Sequence, residues 1–296
     1  MHFCCPVCGG SLQREQGSLR CQKGHCYDFA RSGYVNLLPS NRKHAKLPGD
    51  NKEMVAARSR FLQGGYYAPL QQALCEQVRR FIPKQGDPVL LDAGCGEGYY
   101  TTAAASAAYE KNPSCTVLGV DISKSALALA AKRERRAEFA VASVFSLPLP
   151  DESVDVLTEV FAPFCREEYL RVLKKDGILL EVIPAARHLF ELKAVLYDSP
   201  YENRVKPYDL EDFCFLGKTE VSGTIRVANP ADIQALCEVA AVAYIVCGID
   251  AYRTPPEAAK RLFALSALET EISFEILAYR AIKQPKQKED CFRPCR

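Results

Sequence analysis

An α/β fold fronted by a small metal-built module is predicted by three features of this 296-residue chain. Four thiol or imidazole groups stand at zinc-ribbon spacing in the first 25 residues, as Cys5-Pro-Val-Cys8 and Cys21-x3-His25. A glycine-rich run, Leu91-Asp92-Ala93-Gly94-Cys95-Gly96-Glu97-Gly98, follows an apolar stretch of strand length. Beyond it, short apolar runs alternate with helical patterns, as a mostly parallel sheet requires.

Taken in order, residues 1–38 form the metal module. Zinc favours four soft or borderline ligands in a tetrahedron, and a Cys-x2-Cys turn brings two thiolates onto one ion. Cys21 and His25 supply the second pair, with Cys4 and Cys26 as neighbouring alternatives. Gly9-Gly10, Gly17 and Gly24 fall where short loops need them. So small a module buries too little surface to fold unaided, which makes the metal structural. Four protein ligands would also close the coordination shell and leave no open position for catalysis.

Residues 39–82 read as a linker and a helical segment, polar and basic to residue 52, then helical from Glu53 to about Ile82 with a break at Gly64-Gly65. Residues 83–284 carry the sheet. Pro88 to Ala93 is a buried strand that runs into Gly94–Gly98, and an alanine-rich helix follows to Tyr109. Thr116 to Val120 is a second strand ending in Asp121, an acidic residue placed to accept both ribose hydroxyls of an adenosine group. A dinucleotide fingerprint would want a third glycine at position 99, which is Tyr99. That departure favours S-adenosylmethionine, which has no pyrophosphate, and hence a class I (Rossmann-like) S-adenosylmethionine-dependent methyltransferase sheet. Further strands are expected at Glu138–Ala142, Ser153–Phe161 and Gly177–Ile183. In open sheets ligands sit beyond the carboxyl ends of the strands. That rule gathers Asp92–Gly98, Asp121, the 143–146 loop and Glu159–Phe164 on one rim. Residues 285–296, with Cys291, Arg293, Cys295 and Arg296, read as a flexible basic tail.

Composition narrows the classes. Hydrophobic content of 48% with 25% charge suits a soluble enzyme with a sizeable core. The 14 cysteines do not read as a disulfide scaffold, because the start shows neither a basic n-region nor an apolar h-region. A reducing cytoplasm is expected. The longest apolar stretch, Ile233 to Ile249, is interrupted by Glu238 and is too short to span a bilayer comfortably. Net charge is +2, yet residues 1–60 hold ten Lys/Arg against four Asp/Glu. A basic front on a slightly acidic body points to a polyanionic partner, with Arg31, Arg42, Lys43 and Lys46 as phosphate contacts.

These residues carry a resemblance to the RlmA family of bacterial 23S rRNA guanine-N1 methyltransferases. It runs through Cys5-Pro-Val-Cys8, Cys21-x3-His25, Asp28-x-Ala30-x-x-Gly33-Tyr34-Val35-Asn36-Leu37-Leu38 and Pro48-Gly49-Asp50. It continues through Gly65-Tyr66-Tyr67-x-Pro69-Leu70, Asp92-x-Gly94-Cys95-Gly96-Glu97-Gly98-Tyr99-Tyr100-Thr101, Ala162-Pro163 and Arg187-His188-Leu189-x-Glu191-Leu192-Lys193. Residues 239–246 depart from the pattern. The resemblance implies Cys5, Cys8, Cys21 and His25 as Zn2+ ligands. It implies cofactor contacts at Tyr67, Gly94, Gly96, Gly98, Tyr100, Thr101, Asp121 and His188, to which the rim position adds Asp92. It also implies a guanine in a domain II hairpin loop of 23S rRNA as acceptor, and a homodimer as the working form. Methyl transfer to guanine N1 requires in-line positioning and departure of the N1 proton. Glu159, at the rim, is the candidate base.

Overall fold

The computed structural model describes residues 2–39, 50–205, 208–242 and 256–283. At the front, β1 (Leu12–Glu15), β2 (Ser18–Cys21) and β3 (Cys26–Asp28) make a three-stranded antiparallel sheet. A two-residue strand, β4 (Val35–Asn36), leaves this ribbon and adds in parallel to the edge of the main sheet. Next come α1 (Lys52–Gln63) and α2 (Ala68–Phe81). Asn51 caps α1 by accepting from the Met54 N–H at 2.9 Å, and the chain turns at Gly64-Gly65 before Pro69 enters the first turn of α2.

The body then alternates β5 (Val89–Ala93), α3 (Tyr99–Lys111), β6 (Thr116–Asp121), α4 (Lys124–Arg133), β7 (Glu138–Val141), β8 (Val154–Val160), α5 (Arg166–Val172) and β9 (Leu173–Pro184). It closes with α6 (Phe190–Leu196), β10 (Phe213–Val227), α7 (Pro230–Val242), α8 (Pro256–Phe263) and β11 (Leu268–Ala281). The eight-stranded sheet has the order β10-β11-β9-β8-β5-β6-β7-β4. Strands β4 to β9 run parallel, whereas β11 is antiparallel to β9 and to β10. Every residue of β5 is buried, as expected for a central strand covered on both faces. The chain order reverses at β5, where β6 leads one way and β8 the other. That switch point opens a crevice at the carboxyl ends of the strands.

Five strands expected from the sequence are present, with β9 extended back to Leu173. The β10–β11 ribbon was not expected. Its strands carry charges such as Lys218, Glu220, Glu269 and Glu271 among the apolar residues, because one side faces solvent.

Two larger apolar clusters hold the molecule. In one, Phe61, Leu62, Tyr67, Leu70, Leu74 and Val78 of the α1–α2 segment pack with Ala104, Ala108 and sheet residues such as Leu180 and Phe274. The segment expected as a linker and helices is therefore built into the body. In the other, Phe3, Leu12, Leu19, Val35 and Leu37 of the front join Leu118, Val120, Ala140, Leu147 and Leu149 of the sheet. The Cys4 N–H donates to Pro148 O at 2.8 Å and the Leu37 N–H to Val141 O at 2.9 Å. The ribbon is docked, not merely tethered.

Arg42, Lys43, Lys46, Cys291, Arg293, Cys295, Arg296 and residues 243–249 lie outside the described residues. Among those described, no helix is long and apolar enough to cross a membrane.

Candidate active site and metal centre

The metal centre is assembled by two turns of the ribbon. Cys5, Cys8, Cys21 and His25 bring their ligand atoms within 4.8 Å of one another. Cys8 Sγ lies 3.7 Å from Cys21 Sγ, while His25 Nδ1 lies 3.3 Å from Cys21 Sγ and 3.5 Å from Cys5 Sγ. A tetrahedron with Zn–S of about 2.3 Å and Zn–N of about 2.0 Å has edges of roughly 3.8 and 3.5 Å, so the donor set fits zinc. Nδ1 is the His25 nitrogen that faces the thiols and would bind the ion. The Tyr27 hydroxyl stands 3.1 Å from Cys5 Sγ, where it supports a thiolate from outside the ligand shell. Cys26 is exposed, and neither it nor Cys4 joins the cluster.

The second site is a cavity of about 370 Å3 at the switch point. Its size falls within the range of roughly 300–1,000 Å3 usual for cofactor sites. Tyr67, Gly94, Gly96, Tyr100 and Asp121 line it, together with Phe145 and Phe161. Gly94 has φ +80, and a Cβ there would stand 2.4 Å from that of Ala162. Only glycine lets the β5 loop pass so close beneath the β8 turn. Asp121 ends β6 with each carboxylate oxygen accepting one backbone N–H, from Gly96 at 2.9 Å and Ser123 at 2.7 Å. Burial raises its pKa while these N–H groups hold it down. The Tyr100 hydroxyl is buried with no hydrogen-bond partner, although its ring borders the cavity. The Gly94 loop lets a ligand approach the backbone, the Asp121 carboxylate on the wall can accept from ribose hydroxyls, and the remaining walls are mostly apolar. The cavity therefore fits S-adenosylmethionine.

Several sequence-predicted residues stand behind the lining. Asp92 is buried and accepts from Thr101 Oγ1 at 2.5 Å and Thr158 Oγ1 at 3.0 Å, tying α3 and β8 to β5. Burial pushes its pKa up to about 6 against those two donors. Thr101 is fully buried in the same contact. Gly98, at φ +86, starts α3, and a Cβ there would lie 2.9 Å from Ala130. His188 is buried behind Tyr67, with Nε2 3.3 Å from the Tyr67 hydroxyl and Nδ1 accepting the Ser273 N–H at 3.2 Å. Accepting at Nδ1 places the imidazole proton on Nε2. Burial, helped by nearby Lys193, drives the His188 pKa down to about 3, so the ring is neutral. Glu159 is buried at the end of β8, where Oε1 accepts the Ala162 N–H at 2.5 Å. That bond pins a turn in which Phe161 takes φ 56.

Arg58 escaped the sequence reading, and Phe145 was expected only as part of its loop. Arg58, on α1, pairs with Asp50 at 2.5 Å on the cavity wall, and the Asp50 carbonyl accepts from Ser123 Oγ at 2.8 Å. Pro48-Gly49-Asp50 carried a signal through the resemblance, but a lone arginine on a helix carried none. Phe145, in the 143–146 loop, borders the cavity while 60% exposed.

Fold, glycine loop and acidic strand end together define a class I S-adenosylmethionine-dependent methyltransferase, here bearing a zinc ribbon. The RlmA N-terminal zinc-ribbon model matches residues 3–46 and a methyltransferase-domain model matches residues 84–225. The 23S rRNA (guanine(748)-N(1))-methyltransferase of Streptomyces fradiae is 35% identical over 77% of this chain and 80% of its own length. Two provisionally named 23S rRNA (guanine-N(1)-)-methyltransferases also match. That of Micromonospora griseorubida is 42% identical over 64% of this chain and 68% of its own. That of Bacillus subtilis (strain 168) is 33% identical over 79% and 83%. The chain belongs to the RlmA family.

Proposed function

We propose that this protein methylates N1 of a guanine in a domain II hairpin loop of 23S rRNA, acting in the cytoplasm as a homodimer. The observation that carries the reading is the union, on one chain, of a four-ligand metal ribbon with a cofactor cavity. Relatives matched over four-fifths of their length are named for this reaction. In this reading residues 1–38 recognise RNA, residues 39–82 link the modules and wall the cavity, and residues 83–284 hold the cofactor; the expected tail, 285–296, lies outside the described residues.

S-Adenosylmethionine supplies a methyl group on a sulfonium, and transfer leaves the S–C electron pair on sulfur as the N1–C bond forms. The protein's task is mainly positional. Gly94 and Gly96 let the backbone approach the ligand, and Asp121 retains lone pairs for ribose hydroxyls. Tyr100 would line the cofactor site, and Tyr67 is oriented by neutral His188. Asp92, Gly98 and Thr101 hold the loop from behind. Phe145 offers a stacking face to an unpaired target base.

The N1 proton passes to water at the open mouth. Asp50 and Glu97 face Arg58 and Arg133, and Asp121 accepts two N–H groups, which leaves these carboxylates poor bases. We assign Glu159 the positioning of the Val160–Pro163 turn.

The test is incubation of purified protein with labelled S-adenosylmethionine and 23S rRNA lacking the modification, followed by mapping of the label. N1-methylguanosine at one domain II guanine is the expected result. Cofactor binding with unlabelled rRNA would overturn the reading.

A further inference from the structure

A larger concavity, about 940 Å3, lies away from the cofactor, where the ribbon meets the C-terminal end of α4 and the start of β7. Its walls carry Arg14 and Arg31 from the ribbon side and Lys132, Arg135 and Arg136 from the body. All five are exposed. Among the described residues none of the five has a carboxylate partner within salt-bridge distance. Arg14 lies over the Phe29 ring at 4.8 Å and Arg136 over the Tyr109 ring at 3.7 Å, contacts that hold side chains without neutralising them. The single acidic residue on the walls, Glu138, accepts the His2 backbone N–H at 3.3 Å and lies 3.7 Å from its ring.

Several arginines elsewhere on the surface are neutralised within the fold. Arg20, Arg60, Arg79, Arg166, Arg171 and Arg187 all pair with carboxylates. Five like charges facing one groove repel one another, and Glu138 is the one acidic residue on its walls to offset them. A bound polyanion would offset that repulsion and release its own counterions.

We propose that this composite groove, built by ribbon and methyltransferase body together, is a docking track for the rRNA phosphate backbone. The proposal rests on the reading of 23S rRNA as substrate and gives that contact a place outside the cofactor cavity. Strand β7 links the two sites. It starts in the groove at Glu138 and leads to the 143–146 loop at the cavity mouth. At about 3.3 Å per residue that separation is roughly 20 Å. One folded RNA hairpin can therefore lie in the groove and present a loop base at the mouth. Phosphate contacts of this kind fix register while the base is read elsewhere.

The test compares binding of 23S rRNA across a salt series for the intact zinc-loaded protein, R31E/R135E, R31K/R135K and a surface control, K84E/K175E. Lys84 and Lys175 are exposed and lie off the groove walls. Removing two phosphate contacts should flatten the log–log salt slope by about 1.5 and weaken binding at least about tenfold at moderate salt. The lysine variant should keep most of the slope, and cofactor affinity should hold throughout. Equal losses in R31E/R135E and the surface control would overturn the groove. So would rRNA binding that survives in R31E/R135E while binding of poly-L-glutamate is lost, which would assign the groove to an acidic protein. Wild-type methylation of 23S rRNA separates these outcomes from a failure of the functional reading itself.

Discussion

The ribbon and the methyltransferase body are held together by opposite means. The ribbon gathers four ligand atoms within 4.8 Å and buries few large side chains of its own, notably Phe3, Leu12 and Leu19. The body buries β5 completely and packs α1, α2 and α3 onto an eight-stranded sheet. Zinc binding to small modules of this type contributes on the order of 10 kcal/mol, much of it folding free energy. The body needs no such bond, because its dispersed burial is extensive. The two halves are therefore vulnerable in different places. The ribbon depends on a few atoms, and the body depends on how closely its backbone segments approach.

The sharpest break on the body side is Gly94→Val. It places a branched side chain at φ +80 where even a Cβ meets Ala162 at 2.4 Å. Cofactor affinity should fall at least about 30-fold, or about 2 kcal/mol, by calorimetry, while the zinc content stays intact. Retained affinity would mean that the β5 loop does not cradle the ligand.

Next is Glu159→Gln, which keeps the shape of the side chain but weakens its hold on the Ala162 N–H. A positioning role predicts a fall in kcat of about five- to tenfold with an unchanged pH profile. A role as general base predicts a loss of about 100-fold or more, and removal of the ascending limb. Single-turnover rates across pH 6–9 decide between them.

A smaller effect concerns two buried ionisable groups. His188 has its folded pKa lowered from 6.5 to about 3, so the unfolded chain binds the extra proton. Its contribution to stability is present above pH 6.5 and falls on acidification, by up to about 1.4 kcal/mol per pH unit. Asp92 runs the other way, with its folded pKa raised from 3.8 to about 6. Its contribution is fully present below pH 3.8 and is lost as pH rises through 6. Between pH 4 and 6 the two oppose each other. His188→Gln should therefore unmask the Asp92 trend, with urea midpoints that rise from pH 6 to 4 relative to wild type. Curves parallel to wild type would contradict the assignment.

The two halves also differ in how much of them can be read before folding. A metal site is a matter of residue type and spacing, so Cys5, Cys8, Cys21 and His25 could be named from the sequence and meet in space. The cavity was legible along its continuous stretch, Gly94 to Tyr100, and at the strand end Asp121. Arg58 was not, because a single cation on a helix has no pattern; only folding places it opposite Asp50. Phe145 was legible as part of a loop but not as an exposed aromatic, since exposure depends on what the rest of the chain leaves uncovered. The β10–β11 ribbon stayed hidden because charges on its outer side blur the alternation. The basic groove was hidden for a related reason. Arg14 and Arg135 are far apart in sequence, and each alone is an ordinary surface charge.

The proposed function divides labour between the two halves, with the metal ribbon serving RNA and the body serving the cofactor. The most direct measurement takes zinc-depleted protein, or Cys8→Ser, and determines cofactor affinity and 23S rRNA affinity on the same preparation. Cofactor affinity should stay within about twofold of the zinc-loaded protein while rRNA affinity weakens by at least about tenfold. Undiminished rRNA binding without zinc, or loss of both affinities together, would contradict that division.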